Sequence, residues 1–160
     1  MKNIEIKISG KLSGKTVKEI LFGELKLSAR LVTRLKKTGG ITVNGEGVTV
    51  RKEVQCGDVL NVAAEDEPSE NIVPCDIPID VIYEDEDILL VNKPAGMPVH
   101  PSFGHYEDTL ANAVMYRYRD RNFSFRAVSR IDRDTTGLVL IALNRFSADF
   151  LIEPCLEIKR

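Results

Sequence analysis

The chain has 160 residues, 43% of them hydrophobic, and its 22 Lys and Arg nearly balance 24 Asp and Glu for a formal net charge of −2. That length allows one ordinary domain, or a small module followed by part of a larger one. No apolar run approaches the ~20 residues needed to span a bilayer, and three dispersed cysteines without a signal peptide point to reduced thiols in a soluble, cytoplasmic protein rather than to a metal cluster or a disulfide scaffold.

The near-neutral total hides an uneven distribution. Residues 1–62 hold twelve bases and six acids, residues 63–92 hold ten acids and no base, and residues 93–160 hold ten bases and eight acids. A basic head can face phosphate.

Ile4, Ile6 and Ile8 alternate with charged residues, as in a half-exposed strand. After Ser13-Gly14, Val17, Ile20 and Leu21 recur at helical spacing, and Gly23 is placed to end that helix. Ser28 is placed to cap a second helix reaching about Lys37, with Leu31, Val32 and Leu35 as its apolar stripe and Gly39-Gly40 as its stop. Arg30, Arg34, Lys36 and Lys37 give this second helix a basic face, which is either a solvated surface or a contact with a nucleic-acid backbone. The runs 41–43 and 48–50 flank Asn44-Gly45-Glu46-Gly47 as a hairpin would, and Gly57-Asp58 opens a further short strand through Val62.

Residues 64–78 are acidic, carry three prolines and show no sustained period, so they read as a linker between a module at 1–63 and a domain at 79–160. Glu65, Asp66, Glu67 and Glu70 would repel RNA from this stretch. Ile79 to Tyr83 and Ile88 to Asn92 read as strands around a solvated acidic turn, Glu84 to Asp87, and Pro94 and Gly96 end the second. Val99 to His105 is a loop, and Asp108 or Thr109 is placed to cap a helix that turns Leu110, Ala113 and Val114 inward.

From Tyr116 to Arg133, six arginines including Arg117 and Arg119 alternate with aromatics, a mixture that suits phosphate pairing and base stacking. At least one of Phe123 and Phe125 is expected in the core. Residues 130–137 then pack two carboxylates, two guanidiniums, two hydroxyls and a glycine against the apolar strand Leu138 to Leu143. A polar knot abutting a buried strand is a way to hold a reactive side chain on a rigid support. Its structural alternative is an Arg–Asp network on a turn. A final helix over 144–156 offers Phe146, Phe150 and Leu151 for packing and breaks or kinks at Pro154.

Arg130-Ile-Asp-Arg-Asp-Thr-Thr-Gly-Leu resembles the signature of the RluA-type RNA pseudouridine synthases. The segment Glu84-Asp-Glu-Asp-Ile-Leu-Leu-Val-Asn-Lys-Pro-Ala-Gly-Met-Pro-Val-His-Pro-Ser102 is similar to another of that family's motifs, and the basic head resembles the S4-like RNA-binding module that often precedes it. The resemblance implies an α+β chain: a small S4-like module, then the N-terminal part of a mixed, mainly antiparallel-sheet catalytic domain. It implies Asp132 as the catalytic residue and places the loop of His100 beside the site; the chemistry then offers Arg130, Arg133, Asp134 and Thr135 as supporting residues, with Arg133 as the candidate to wedge into the RNA stack. It also implies no metal or cofactor. RNA is the implied partner, ribosomal RNA before transfer RNA, through Arg30, Arg34, Lys36, Lys37, Arg117 and Arg119.

Two departures stand out. Ser129 occupies a position where the family usually has His, and the sequence stops at Glu157-Ile-Lys-Arg160, about where a family Tyr segment is expected, which reads as a truncated domain. A non-catalytic S4-type RNA-binding protein is therefore the alternative reading. A glycosidic-bond hydrolase would need a second carboxylate at a defined separation, and only Asp134 is offered nearby.

Overall fold

Alternate isoleucines at the start of the chain do form a strand. In the computed structural model, which describes residues 2–66, 69 and 71–157, the chain falls into two units, Met1–Glu65 and Asp66–Arg160. Glu67, Glu70 and the last three residues lie outside the described residues.

In the first unit, β1 (Lys2–Lys7) is followed by a single helical turn, α1 (Val17–Glu19). Thr16 caps it reciprocally: the Glu19 amide donates to the Thr16 hydroxyl, and the Thr16 amide donates to the Glu19 carboxylate. The backbone then widens into a π turn over Ile20–Glu24 that runs through Gly23. Reversal falls instead at Lys26, with φ 51°, where Leu27 returns its amide to the Leu21 carbonyl. Helix α2 (Ala29–Thr38) is capped by Ser28, stops at the left-handed Gly39 and buries Leu31, Val32 and Leu35.

The hairpin that follows is tighter than the sequence suggests. Asn44 and Gly45 both take positive φ, 53° and 84°, the pairing required by a two-residue turn, so β2 (Ile41–Val43) meets β3 (Glu46–Gly47) directly and residues 48–50 fall outside the strand. The Asn44 amide group also bonds Asp58 and the Val59 amide, locking the turn to β4 (Val59–Ala64). The antiparallel sheet has the order β1-β4-β2-β3. A β-carbon added at Gly40 would lie 2.2 Å from the Ala63 carbonyl oxygen.

The second unit holds an antiparallel sheet of order β5-β6-β7, made of β5 (Asp80–Glu84), β6 (Ile88–Lys93) and β7 (Gly137–Ala142). Leu89, Val91, Val139 and Ile141 bury one face against Leu110, Ala111, Val114 and Met115 of α3 (Leu110–Arg117), with Tyr118, Phe123 and Phe125 completing the core. Both phenylalanines are therefore structural. Thr109, not Asp108, caps α3, and the fully buried Asn112 donates to the carbonyls of Val73 and Tyr106. Residues 126–128 lie along β7, with the Val128 amide donating to Leu140 and the Ala142 amide to Arg126.

From Asp66 onward, described residues of the acidic stretch are attached to this unit. Asp66 pairs with Arg126 at 2.6 Å, the Ser69 hydroxyl accepts from the Phe125 amide, and the Cys75 amide donates to the Asn112 carbonyl. The turn at 84–87 is not merely solvated. Asp85 accepts from the amides of Asp87 and Ile88 and from the Tyr83 hydroxyl, Asp87 accepts from the Asn144 side chain, and Glu84 receives both Arg117 and Tyr118. Asn144 also caps α4 (Arg145–Glu157), which continues through Pro154; Phe146 is buried on it, whereas Phe150 is exposed.

Two outcomes follow from these contacts. Gly40→Ala should destabilise the first unit by about 2 kcal/mol, because backbone must move to admit the methyl group; an unchanged denaturant midpoint would refute the close approach. Arg117 holds the Glu84 carboxyl below its ordinary 4.5 and Tyr118 adds to this, against the opposing effect of burial. The unfolded chain therefore binds the proton more readily, so this stability is present above pH 4.5 and lost as pH falls through the lower folded value. Melting temperature against pH should show a shallower acid limb for Glu84→Gln than for the wild type; equal slopes would remove the pair from the account.

Candidate active site

Sheet register brings the two conspicuous sequence segments together. Lys93, the last residue of β6, pairs with Gly137, the first of β7, so the Pro94–Met97 turn lies beside the polar knot. Gly137 has φ 144°, a conformation that disfavours a side chain. Gly96, with φ 83°, donates its amide to the Arg133 carbonyl at 2.9 Å.

Between these segments lies a buried cation. The Lys93 side chain has no solvent exposure, and its ammonium donates to the carbonyls of Pro94 (2.8 Å), Met97 (2.7 Å) and Arg133 (2.9 Å). All three of its N–H donors are satisfied, as a buried ammonium requires. Burial lowers its pKa from the ordinary 10.5, and the Asp134 carboxylate opposes that shift. The residue thus fixes the backbone of the knot from within.

Above that anchor the turn closes when the Thr135 amide donates to the Asp132 carbonyl at 3.2 Å. The Asp132 side chain is exposed, and among the described residues no hydrogen bond or ion pair reaches its carboxylate. Arg133 does not serve Asp132: its Nε and Nη2 donate to the two Asp134 oxygens at 3.0 and 3.2 Å, and its Nη1 lies 3.4 Å from His105 Nε2. Asp134 is held below the usual Asp range chiefly by that guanidinium. Arg130 is exposed and has no hydrogen-bond partner among the described residues. It lies near His100, whose pKa is lowered first by burial and then by this guanidinium. His100 stacks edge-on against Phe125, with ring centroids 5.0 Å apart.

The structure thus gathers Arg130, Asp132, Arg133, Asp134, Thr135 and His100 in one unit. Of the expected RNA contacts, Arg30, Arg34, Lys36 and Lys37 lie on α2 in the other unit, with Arg34 half-buried and the rest exposed. Arg117 is paired with Glu84, and Arg119, in the turn after α3, stacks over Tyr116, 4.2 Å from the ring centroid. Sequence reasoning overlooks Lys93 and ranks His105 below His100. The signal for Lys93 is present: Leu89, Val91 and Lys93 occupy alternate strand positions, and two of the three are plainly core.

Residues 87–159 match the family model described as RNA pseudouridylate synthase. The chain is similar to proteins named RNA pseudouridine synthases. An uncharacterised RNA pseudouridine synthase of Bacillus subtilis (strain 168) is 39% identical over 140 residues, covering 85% of this chain and 49% of that protein. Ribosomal large subunit pseudouridine synthase D of Blochmanniella floridana is 42% identical over 120 residues, covering 70% of this chain and 37% of that protein. A second uncharacterised RNA pseudouridine synthase of Bacillus subtilis is 34% identical over 158 residues, covering 95% and 52%. The chain spans about half, or less, of the length of these relatives. The matched span of the synthase model includes Lys93 and Asp132 alike.

Replacing Lys93 by Met leaves three inward carbonyls without their donor. Lys93→Met should cost about 2–4 kcal/mol of stability. Chemical denaturation of the whole protein measures it, and a loss below the scatter of surface mutants would mean that the ammonium is dispensable.

Proposed function

We propose that this chain carries the catalytic carboxylate of an RNA pseudouridine synthase, Asp132, and that its substrate is uridine in structured RNA, ribosomal RNA first. The observation that supports this most directly is an exposed Asp132 carboxylate, without a hydrogen-bond partner among the described residues, on a turn whose backbone is pinned by a buried ammonium. Isomerisation breaks the bond between uracil N1 and ribose C1′ and rejoins the base through C5; the C5 proton is lost and N1 gains one. The sugar carbon becomes electron-poor on the way, and a fixed, ionised carboxylate can stabilise or attack it. No step in that sequence calls for a metal or an organic cofactor.

A uridine in a duplex must leave the stack to reach such a carboxylate. We assign the two neighbouring arginines different tasks, and move the wedge expected of Arg133 to Arg130. Arg130, free of hydrogen-bond partners among the described residues, suits insertion into the vacated space. Arg133, clamped by Asp134 and His105, suits a fixed phosphate contact instead. The first unit is read as an S4-like module whose α2 residues Arg30, Arg34, Lys36 and Lys37 hold RNA backbone, positioning it without reading sequence. A cytoplasmic setting goes with that reading.

The test is Asp132→Asn in the protein produced from its natural gene, incubated with ribosomal RNA and scored for pseudouridine by mass spectrometry. Conversion should fall by about 10³-fold or more while RNA affinity stays within a fewfold. Turnover that survives the substitution would sink the catalytic assignment, and loss of binding together with turnover would make Asp132 a structural residue.

A further inference from the structure

The Arg133 guanidinium has a second restraint besides Asp134. His105 sits at the end of a tight turn in which Ser102 and His105 exchange backbone hydrogen bonds of 3.0 and 2.9 Å around Phe103 and Gly104. Its Nδ1 is 2.6 Å from an Asp108 carboxylate oxygen, and its Nε2 is 3.4 Å from Arg133 Nη1. A guanidinium has only donors and keeps its charge. For the second contact to be attractive, Nε2 must be a bare acceptor. The ring proton then resides on Nδ1, where the Asp108 carboxylate accepts it.

We infer that Asp108 and His105 form a positioning pair for Arg133: Asp108 selects the Nδ1–H tautomer, and the resulting Nε2 lone pair steers the guanidinium. The charged groups facing the imidazole are Asp108 from the segment before α3, and Arg133 and Asp134 from the turn before β7. Arg133 is thereby fixed at both ends. Lys93 and Gly96 hold its carbonyl, and Asp134 and His105 hold its guanidinium. Neither His105 nor Asp108 needs to touch the reacting atoms. Their effect on turnover rests on the synthase reading, whereas the tautomer does not.

Asp108→Asn isolates the effect. The side chains match in shape, but the amide can donate to Nδ1 and so transfer the ring proton to Nε2, placing N–H against N–H at Arg133. Nitrogen-15 spectra of the imidazole at pH 8 should show Nδ1 protonated and Nε2 bare in the wild type, with the pattern reversed in Asp108→Asn. A protonated Nε2 in the wild type, or an unchanged spectrum in the variant, overturns the assignment.

Turnover supplies an independent reading. His105→Gln keeps an acceptor oxygen within reach of Arg133 and has no tautomer, whereas His105→Leu keeps neither property. Asp108→Asn and His105→Leu should each lower kcat/KM about tenfold, and His105→Gln should retain activity within a fewfold of wild type. Asp108→Asn added to His105→Gln should then cost nothing further. Equal losses for Gln and Leu, or an undiminished Asp108→Asn effect in the Gln background, refute the positioning role. If the wild-type protein converts no uridine, the synthase reading fails by itself, and the spectra still decide the tautomer.

Discussion

A lysine ammonium enclosed by three carbonyls sets the terms for the second unit. Taking a cation out of water costs several kcal/mol even after relaxation, and carbonyl dipoles offset that cost only when all of them are in place. Two of the carbonyls, from Pro94 and Met97, are local to Lys93; the third belongs to Arg133, forty residues onward. If the Arg133 turn moves away, one N–H loses its acceptor inside the protein. The end of β6 and the turn before β7 are therefore coupled: neither can relax without orphaning a buried charge. A hydrophobic residue at 93 could fill the space, but it could not specify where the turn's carbonyls point.

That coupling separates what is rigid from what is free. Backbone from Asp132 to Thr135 is tied by Lys93, by Gly96 and by the turn's own hydrogen bond. Above it, the Asp132 carboxylate and the Arg130 guanidinium have no hydrogen-bond partners among the described residues, so their interaction capacity is open to a ligand. A fixed backbone under the Asp132 carboxylate narrows the positions it can take, which lowers the reorganisation needed when charge develops beside it. Arg133 is the intermediate case. Its carbonyl is part of the foundation and its guanidinium is held by neighbours, so it presents its remaining donors from a set position.

Where local chemistry decides the structure, the sequence is readable. Alternating isoleucines, Ser28 as a cap, Gly39 as a stop and the buried stripe Leu31, Val32 and Leu35 can all be named from spacing alone, and the structure has them. The errors occur where a distant partner decides. Strand alternation places Lys93 on the buried side with Leu89 and Val91, but it does not reveal the three carbonyls that make burial of the ammonium tolerable, one of them forty residues away. Phe150 lies on a helix with apolar residues at usable spacing, yet the side it occupies is open. The hairpin at 44–45 is shorter than expected because Asn44 accepts a positive φ, and Asp58 and Val59 of a later segment secure it. For the candidate site, the polar knot and its glycine are visible in sequence, but the partner of each arginine is not.

Charge shows the same limit most clearly. Counted along the chain, residues 63–92 form an acidic block and residues 117–133 a basic one, which suggests one surface that repels RNA and another that attracts it. Folding spends part of each block on the other. Asp66 takes Arg126 and stands 3.5 Å from Arg145, and Glu84 takes Arg117 together with the Tyr118 hydroxyl. Arg119 and Arg121 lie over the faces of Tyr116 and Tyr118, which shield part of their surface without cancelling their charge. At the C-terminal end of the arginine-rich stretch, Arg130 and the donors that Arg133 has left after Asp134 remain open to an anion. These two residues flank Asp132. The fold thus pairs Arg117 and Arg126 with carboxylates inside the domain. It leaves the Arg130 guanidinium, two residues before Asp132, without an ion-pair partner among the described residues, a positive charge that lowers the local repulsion between that carboxylate and any approaching anion.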